Sequence, residues 1–319
     1  MAPLIRPECE ETACAGKRRA GGRRDAAHPR RQGTEGPILQ TASMSEARRQ
    51  EVPAQPRARG AVRLSVRAAR GGSALSAFRH QGSLRAVFPR PRPGAGVEAI
   101  LVNTAGGITG GDRFEVEARA EAGAALTLST QACERAYRAP PGSTGRLAVR
   151  LAAGPEARLD WLPQETILYD GASLDRRLEI DLAPGARLLM VEPLIFGRRA
   201  MGETLTSGRF RDRIAVTRGG RPLYRDGVTL AGDIATTLAR PGVAGGAGAM
   251  ASLVLVGPEA EAELAPVRAL LPATGGASLL SPDLLVLRLL ARDGQALRAT
   301  LLPVLDRLTG GALPKAWRL

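Results

Sequence analysis

Gly123-Ala-Ala-Leu-Thr-Leu-Ser-Thr130 places Ala124, Leu126 and Leu128 on one side of an extended chain and Ala125, Thr127 and Ser129 on the other. Period-two alternation of this kind is the pattern of a strand with one buried face. The same opening returns twice, because Gly154 and Gly185 each stand 31 residues after the glycine before them. Each glycine leads into an Ala-x-Leu entry to a new apolar run: Ala124 to Leu126, Ala157 to Leu159, Ala186 to Leu188. Alternation extends outward through Arg113-Phe-Glu-Val-Glu-Ala118 and back to Ala61-Val-Arg-Leu-Ser-Val66. Self-similarity at this period predicts stacked coils, each burying its apolar face against the next. We therefore expect a mainly β protein with a superhelical, β-helix-like stack of strands; a plain sandwich or barrel is the alternative.

Toward the end of the sequence the pattern changes. Leu297, Leu301, Val304, Leu305 and Leu308 form an apolar stripe at helical spacing, which predicts a helix over Gln295–Leu308 with Pro303 as its awkward residue. Pro258–Leu271 reads as a shorter amphipathic helix, broken or kinked at Pro266, and Leu284–Leu290 as a buried strand between the two. A small C-terminal α-helical element thus completes the β-rich body.

Residues 1–59 stand apart. All five Phe, three Tyr and two Trp lie between Phe78 and Trp317, whereas the leader carries the basic clusters Lys17-Arg18-Arg19, Arg23-Arg24 and Arg30-Arg31. Low hydrophobicity of this kind predicts a disordered or misassigned leader, with Met44 as an alternative start, followed by a single β-rich domain over 60–319. No apolar segment follows Met1 as a secretory signal requires, and Glu8, Glu10 and Glu11 argue against a transit peptide. The apolar runs are too short to span a bilayer, which takes about 20 residues, so no membrane role is expected. Cys133 is the one cysteine outside the leader, which points to the cytoplasm, and Cys9, Cys14, His28 and His80 do not make a zinc pattern.

The 319 residues carry 45 Lys+Arg against 31 Asp+Glu, a formal net charge of +14. The arginines are scattered among alternating strands with no interleaved aromatics for base stacking, so protein partners are expected and nucleic acid is not. The densest local signal is Asn103-Thr-Ala-Gly-Gly-Ile-Thr-Gly-Gly-Asp112. It lacks the Gly-Lys-Ser/Thr of a phosphate loop and the spacing of a dinucleotide fingerprint, so tight turns are its natural reading, with Asp112 capping the turn or facing a partner. There is no Gly-x-Ser-x-Gly elbow, and His80 is the sole histidine beyond the leader, so nucleophilic catalysis is poorly supplied and no catalytic residue is assigned. Glu165 and Glu192 each follow the apolar run of a repeat. Aligned on one face of stacked coils, they would form either a glycoside-cleaving pair or a polar path for a divalent cation.

Four ordered motifs then carry a resemblance. Gly106-Gly-Ile-Thr-Gly-Gly-Asp-Arg113, Ser129-Thr-Gln-Ala132 with Tyr137-Arg138, Leu162-Pro-Gln-Glu-Thr-Ile167 with Asp170-Gly171, and Glu192-Pro-Leu-Ile-Phe-Gly-Arg198 followed by Met201-Gly-Glu203 resemble the urease accessory protein UreD, also called UreH. Leu313-Pro-Lys-Ala-Trp317 is similar to that family's ending, and the likeness covers roughly residues 60–319. The resemblance implies a non-enzymatic nickel-insertion chaperone that binds urease apoprotein together with UreF and the GTPase UreG. Nickel would be handled in transit, with no tightly bound cofactor, by oxygen ligands and water rather than a slow-releasing thiolate or imidazole site. It further implies an internal passage, for which Asp112, Glu165, Glu192 and Glu203 are the candidate carboxylates and Thr130 and Gln131 their polar neighbours. Gly106, Gly107, Gly110, Gly111, Gly197 and Gly202 are expected to shape turns, and Arg198 and Glu203 to form a buried ion pair or a partner contact. Cys133 is expected to pack as a small hydrophobe, the alternative being a place on the nickel route. A β-helical carbohydrate-active enzyme using paired carboxylates is the competing function.

Overall fold

The computed structural model describes residues 56–90 and 96–318. The expectations placed on the leader's basic clusters, Cys9, Cys14, His28 and Met44 lie outside the described residues.

The alternating stretches all form strands. In chain order these are β1 (Arg59–Ala69), β2 (Gly72–Gly82), β3 (Leu84–Val87), β4 (Val97–Asn103), β5 (Arg113–Ala120), β6 (Ala125–Thr130), β7 (Glu134–Ala136), β8 (Gly145–Ala153) and β9 (Arg158–Leu162). They continue with β10 (Thr166–Leu168), β11 (Ser173–Leu182), β12 (Arg187–Phe196), β13 (Ser207–Arg218), β14 (Arg221–Asp233), helix α1 (Ile234–Ala239) and β15 (Ala249–Val256). Helix α2 (Ala260–Ala269), β16 (Gly275–Ser281), β17 (Leu284–Ala291) and helix α3 (Gly294–Leu308) follow.

From β4 to β13 the chain passes back and forth between two sheets, so that each pass lays a new coil against the last. Sheet A has the order β14-β13-β11-β8-β5-β1-β2, and sheet B the order β16-β17-β15-β12-β9-β6-β4-β3. The stacked strands run parallel: β1, β5, β8, β11 and β13 in sheet A, and β4, β6, β9 and β12 in sheet B. Antiparallel strands flank both stacks. A third, short parallel ladder closes the coils on one side, running from Ile108 through β7 and β10 to the second half of β12. The fold is thus mainly β with solenoid-like stacking, as the repeat predicts.

The repeat is real but its phase differs from the glycine spacing. Parallel register sets Leu126, Leu159 and Leu188 side by side. The residue in left-handed conformation before each entry alanine is Gly123 (φ 65°), Glu156 (φ 54°) and Gly185 (φ 77°), so Glu156, not Gly154, is the equivalent position. Gly154 serves a different need, since a Cβ there would stand 2.8 Å from the backbone nitrogen of Ala122 in the neighbouring coil.

Two apolar layers result. The first fills the space between the sheets, with Phe114, Leu128, Leu159, Ile180 and Phe210 among its buried members. The second lies between sheet B and helices α2 and α3, where Leu297, Leu301, Val304 and Leu305 are all fully buried as the stripe predicts. Asp293 caps α3 by accepting from the Ala296 nitrogen at 2.8 Å. Pro266 and Pro303 both sit inside their helices. Burial of the stripe outweighs the cost of an interior proline, about 3 kcal/mol. No helix among the described residues is long and apolar enough to cross a membrane.

Candidate functional site

The four motifs meet where the coils turn from sheet B into the short third ladder. Inside this corner, between the sheets, lies a cavity of about 160 Å³. Apolar side chains of Val116, Val149 and Leu178 form much of its wall, while Trp161, Arg176, Glu192 and Asp212 form a charged portion. Thr130 and Gln131 also line it, and Gln131 is exposed, so the cavity reaches the surface there.

The charged portion is built by register. Arg176 on β11 stands directly beside Asp212 on β13, both in the inward phase of their strands. The Arg176 guanidinium donates from Nη2 to Asp212 Oδ2 at 2.5 Å and from Nε to Oδ1 at 3.2 Å. Its Nη1 reaches Glu192 Oε2 and Thr166 Oγ1, each at 2.9 Å. Trp161 Nε1 donates to Glu192 Oε1 at 2.6 Å. All three groups are buried, and two carboxylates share one guanidinium. Burial pushes the Glu192 carboxyl above its ordinary pKa, and the neighbouring Asp212 charge adds to the effect against the pull of Arg176.

Glu165 belongs to the other side of sheet B. Its Oε1 accepts from Arg298 Nη1 of α3 at 2.9 Å, and its Oε2 accepts from the Cys133 thiol at 3.1 Å. Arg298 in turn donates to the Trp317 carbonyl at 2.9 Å and lies over the Trp317 ring. Glu165 and Glu192 therefore reach to opposite sides of the sheet and do not align on one face. The reason is register: Thr166 pairs with Leu194, which sets Glu165 level with Pro193, one residue out of phase with Glu192. Cys133 is half-buried rather than packed as a small hydrophobe. Burial, reinforced by the Glu165 charge, pushes its thiol up to about 12, so it stays protonated and donates.

The remaining candidates have local partners. Asp112 caps the glycine turn, with Oδ1 accepting from Ala58 N at 2.9 Å and Oδ2 from Thr109 N at 2.8 Å. Glu203 accepts from the Asp170 nitrogen at 2.8 Å and pairs with Arg198 Nε at 2.6 Å. That ion pair is partly exposed rather than buried, and Arg198 stacks 4.3 Å over the Tyr169 ring. Thr130 Oγ1 accepts from Gln164 N at 2.8 Å. Gly106, Gly107, Gly111, Gly197 and Gly202 all have positive φ. At Gly107 a Cβ would also lie 2.2 Å from the Tyr137 ring, and at Gly110, which has ordinary φ, it would lie 1.9 Å from Ser143 Oγ.

Of the six polar candidates, the cavity thus gathers Glu192, Thr130 and Gln131. It adds Arg176, Asp212 and Trp161, which sequence reasoning missed. A signal for two of them exists: Arg176 and Asp212 interrupt the apolar phase of Leu174-x-Arg176-x-Leu178 and Phe210-x-Asp212-x-Ile214. Among the described residues no three or more His, Cys, Asp or Glu side chains are grouped to hold a metal ion.

Comparison with known proteins agrees with the motifs. The family described as UreD urease accessory protein matches residues 58–318. A urease accessory protein UreD of Roseobacter denitrificans is 52% identical over 265 residues, covering 83% of this chain and 96% of that protein. One of Ruegeria pomeroyi is 54% identical over 247 residues, 77% of this chain and 96% of the relative. One of Agrobacterium fabrum is 44% identical over 266 residues, 83% and 93% of the respective chains.

Proposed function

The chain belongs to the UreD family of urease accessory proteins, and from that premise we propose that it is a cytoplasmic urease maturation factor without an enzymatic activity of its own. In this reading it binds urease apoprotein and, with UreF and the GTPase UreG, supports the delivery of nickel to the urease active site. Nickel is cargo here, not a resident cofactor.

The observation that carries the reading is the charged wall of the interior cavity. Space between two sheets of a β protein is normally filled by apolar side chains, yet here Glu192 and Asp212 face a cavity across a single guanidinium. Burying such a group costs stability unless it is fully paired, and two carboxylates facing the cavity offer oxygen ligands to a divalent cation. Oxygen donors of this kind hold nickel loosely enough for hand-over. In this reading the path runs past Glu192, Thr130, Gln131 and Asp212, which line the cavity, while Asp112, Glu165 and Glu203, which do not line it, serve structural pairings. The competing carbohydrate-active reading asks for two carboxylates across one cleft, and the opposed directions of Glu165 and Glu192 give it no support.

The test is an affinity pull-down of the tagged protein from urease-positive host cells. Urease subunits, UreF and UreG in the eluate are the expected result, and a solitary protein would overturn the reading. Co-purification retained in a soluble Glu192→Gln/Asp212→Asn variant, together with lost urease activation, would tie the passage to these two carboxylates. Full activation by that variant would dismiss the passage.

A further inference from the structure

The outer face of sheet A is left uncovered by α2 and α3, which pack on sheet B, and two of its rows of charge, separated by one that holds Glu115, Arg177 and Arg213, differ in one respect. The first row is neutralised. Arg63, Glu117, Arg150 and Glu179 lie side by side on β1, β5, β8 and β11. They are linked by ion pairs of 2.9, 3.4 and 3.5 Å, and Arg177 joins at Glu179. The second row lies four residues back along the same strands: Arg59, Arg113, Arg146, Asp175 and Arg211 in continuous register. Its one carboxylate, Asp175, is paired with Arg213 at 2.8 Å. The four arginines are exposed and, among the described residues, none has an ion-pair partner. Arg209, two residues before Arg211 on β13, is also exposed.

Neighbouring strands are about 4.8 Å apart, so Arg59, Arg113 and Arg146 are like charges in directly adjacent positions, an arrangement that costs stability. The first row shows that this surface readily supplies glutamates at such positions. We infer that the arginine row is a docking surface for an acidic α-helix of a protein partner. Carboxylates at i, i+3 or i+4 and i+7 on a helix recur about every 5–6 Å, close to the strand spacing, whereas a partner strand would present them about every 6.8 Å. A helix laid across the strands therefore meets Arg59, Arg113 and Arg146 in turn, and reaches Arg211 two turns beyond Arg146, past Asp175. Nucleic acid fits less well: Phe114 and Phe210, the aromatics next to Arg113 and Arg211 in sequence, are buried in the interior and offer no stacking platform. The inference goes beyond urease maturation and does not depend on it.

The probe is a fluorescein-labelled 20-residue helical peptide with glutamates on one face at i, i+4, i+7 and i+14 and a glutamine at i+11, the position that meets Asp175, titrated by anisotropy into the full chain. Binding that weakens with added salt is expected. Arg113→Gln/Arg146→Gln/Arg211→Gln should weaken it at least tenfold, and Arg63→Gln/Arg150→Gln/Arg177→Gln, which removes the same charge from the neutralised row, by no more than threefold. Equal losses in the two triple variants would reduce the effect to net charge and overturn the assignment. So would tighter binding of a 20-nucleotide single-stranded DNA, which would give the row to phosphate polymers. Melting curves of both triples check that the fold is kept.

Discussion

Sheet B has two buried faces, and they are built differently. Strand β12 shows both at once: Leu189 and Val191 point into the layer under the helices, while Met190 and Leu194 point between the sheets. The helix side is mostly aliphatic and is closed by Trp317, whose Nε1 is satisfied by the Leu162 carbonyl at 2.9 Å, and there the buried Glu165 carboxylate is matched by the Arg298 guanidinium. On the inner side the same strand presents Glu192, and the space beyond it is a cavity rather than a packed core. One strand thus separates a packed layer whose buried carboxylate has a guanidinium of its own from one where two carboxylates share a single guanidinium beside a cavity. Substitutions on the inner side should therefore reveal function, whereas those on the helix side should only unfold the protein.

Four experiments test that division, beginning with the largest effect. Arg176→Met leaves Glu192 and Asp212 buried and uncompensated, and should destabilise the fold by about 3–5 kcal/mol in urea unfolding. Adding Glu192→Leu and Asp212→Leu should recover most of the loss. A triple variant as unstable as the single one would mean the charges hold the inner layer together. Leu301→Ala, on the helix side, should cost about 2–4 kcal/mol through its cavity while leaving partner capture in the pull-down intact at low temperature.

Third, the raised pKa of Glu192 has a definite sign. A carboxyl that is easier to protonate folded than unfolded favours the native state at low pH and loses that advantage as pH rises from its ordinary value through its raised one. The stability of the wild type relative to Glu192→Gln should therefore fall across that window, by about 1.4 kcal/mol for each pH step of one that lies within it, and be flat below it. A difference that grows in favour of the wild type with rising pH would show that Arg176 dominates. The smallest effect is expected at the exposed pair: Glu203→Gln should change stability by less than about 1 kcal/mol, since the bond from the Asp170 nitrogen can persist.

Much of this plan was legible beforehand, for reasons that particular residues make plain. Alternation at Arg113–Ala118 and the stripe from Leu297 to Leu308 are local patterns, and burial on one face is enough to read them. The turn-forming glycines were equally plain, because Gly107 and Gly197 sit where a side chain meets neighbouring atoms. Pairing across coils was not. Glu165 and Glu192 occupy similar places in their repeats, yet a one-residue offset sends them to opposite sides of the sheet, and in a strand such an offset is the whole difference between inside and outside. Arg176 and Asp212 are 36 residues apart and meet only through parallel register. Their signal was a charge in the apolar phase, which marks a buried polar group without naming its partner. Glu156 in a left-handed turn hid the true period, since a glycine count cannot see an equivalent position held by another residue.

The antiparallel hairpins at the ends of the sheet A stack have a consequence for the concentrated protein. A pile of parallel coils is open-ended by construction, because its last strand is a template on which another molecule's first strand can continue the pile. Here β2 folds back on β1 and β14 folds back on β13, so an incoming copy meets a strand of reversed direction at either end. Pro222 removes one ladder donor from β14, and Arg221 and Arg225 add charge along it. Sheet B ends on one side in β3, only four residues long. The same hairpins that finish the fold therefore act as chain terminators against filament growth, and the stack carries its own caps within the described residues.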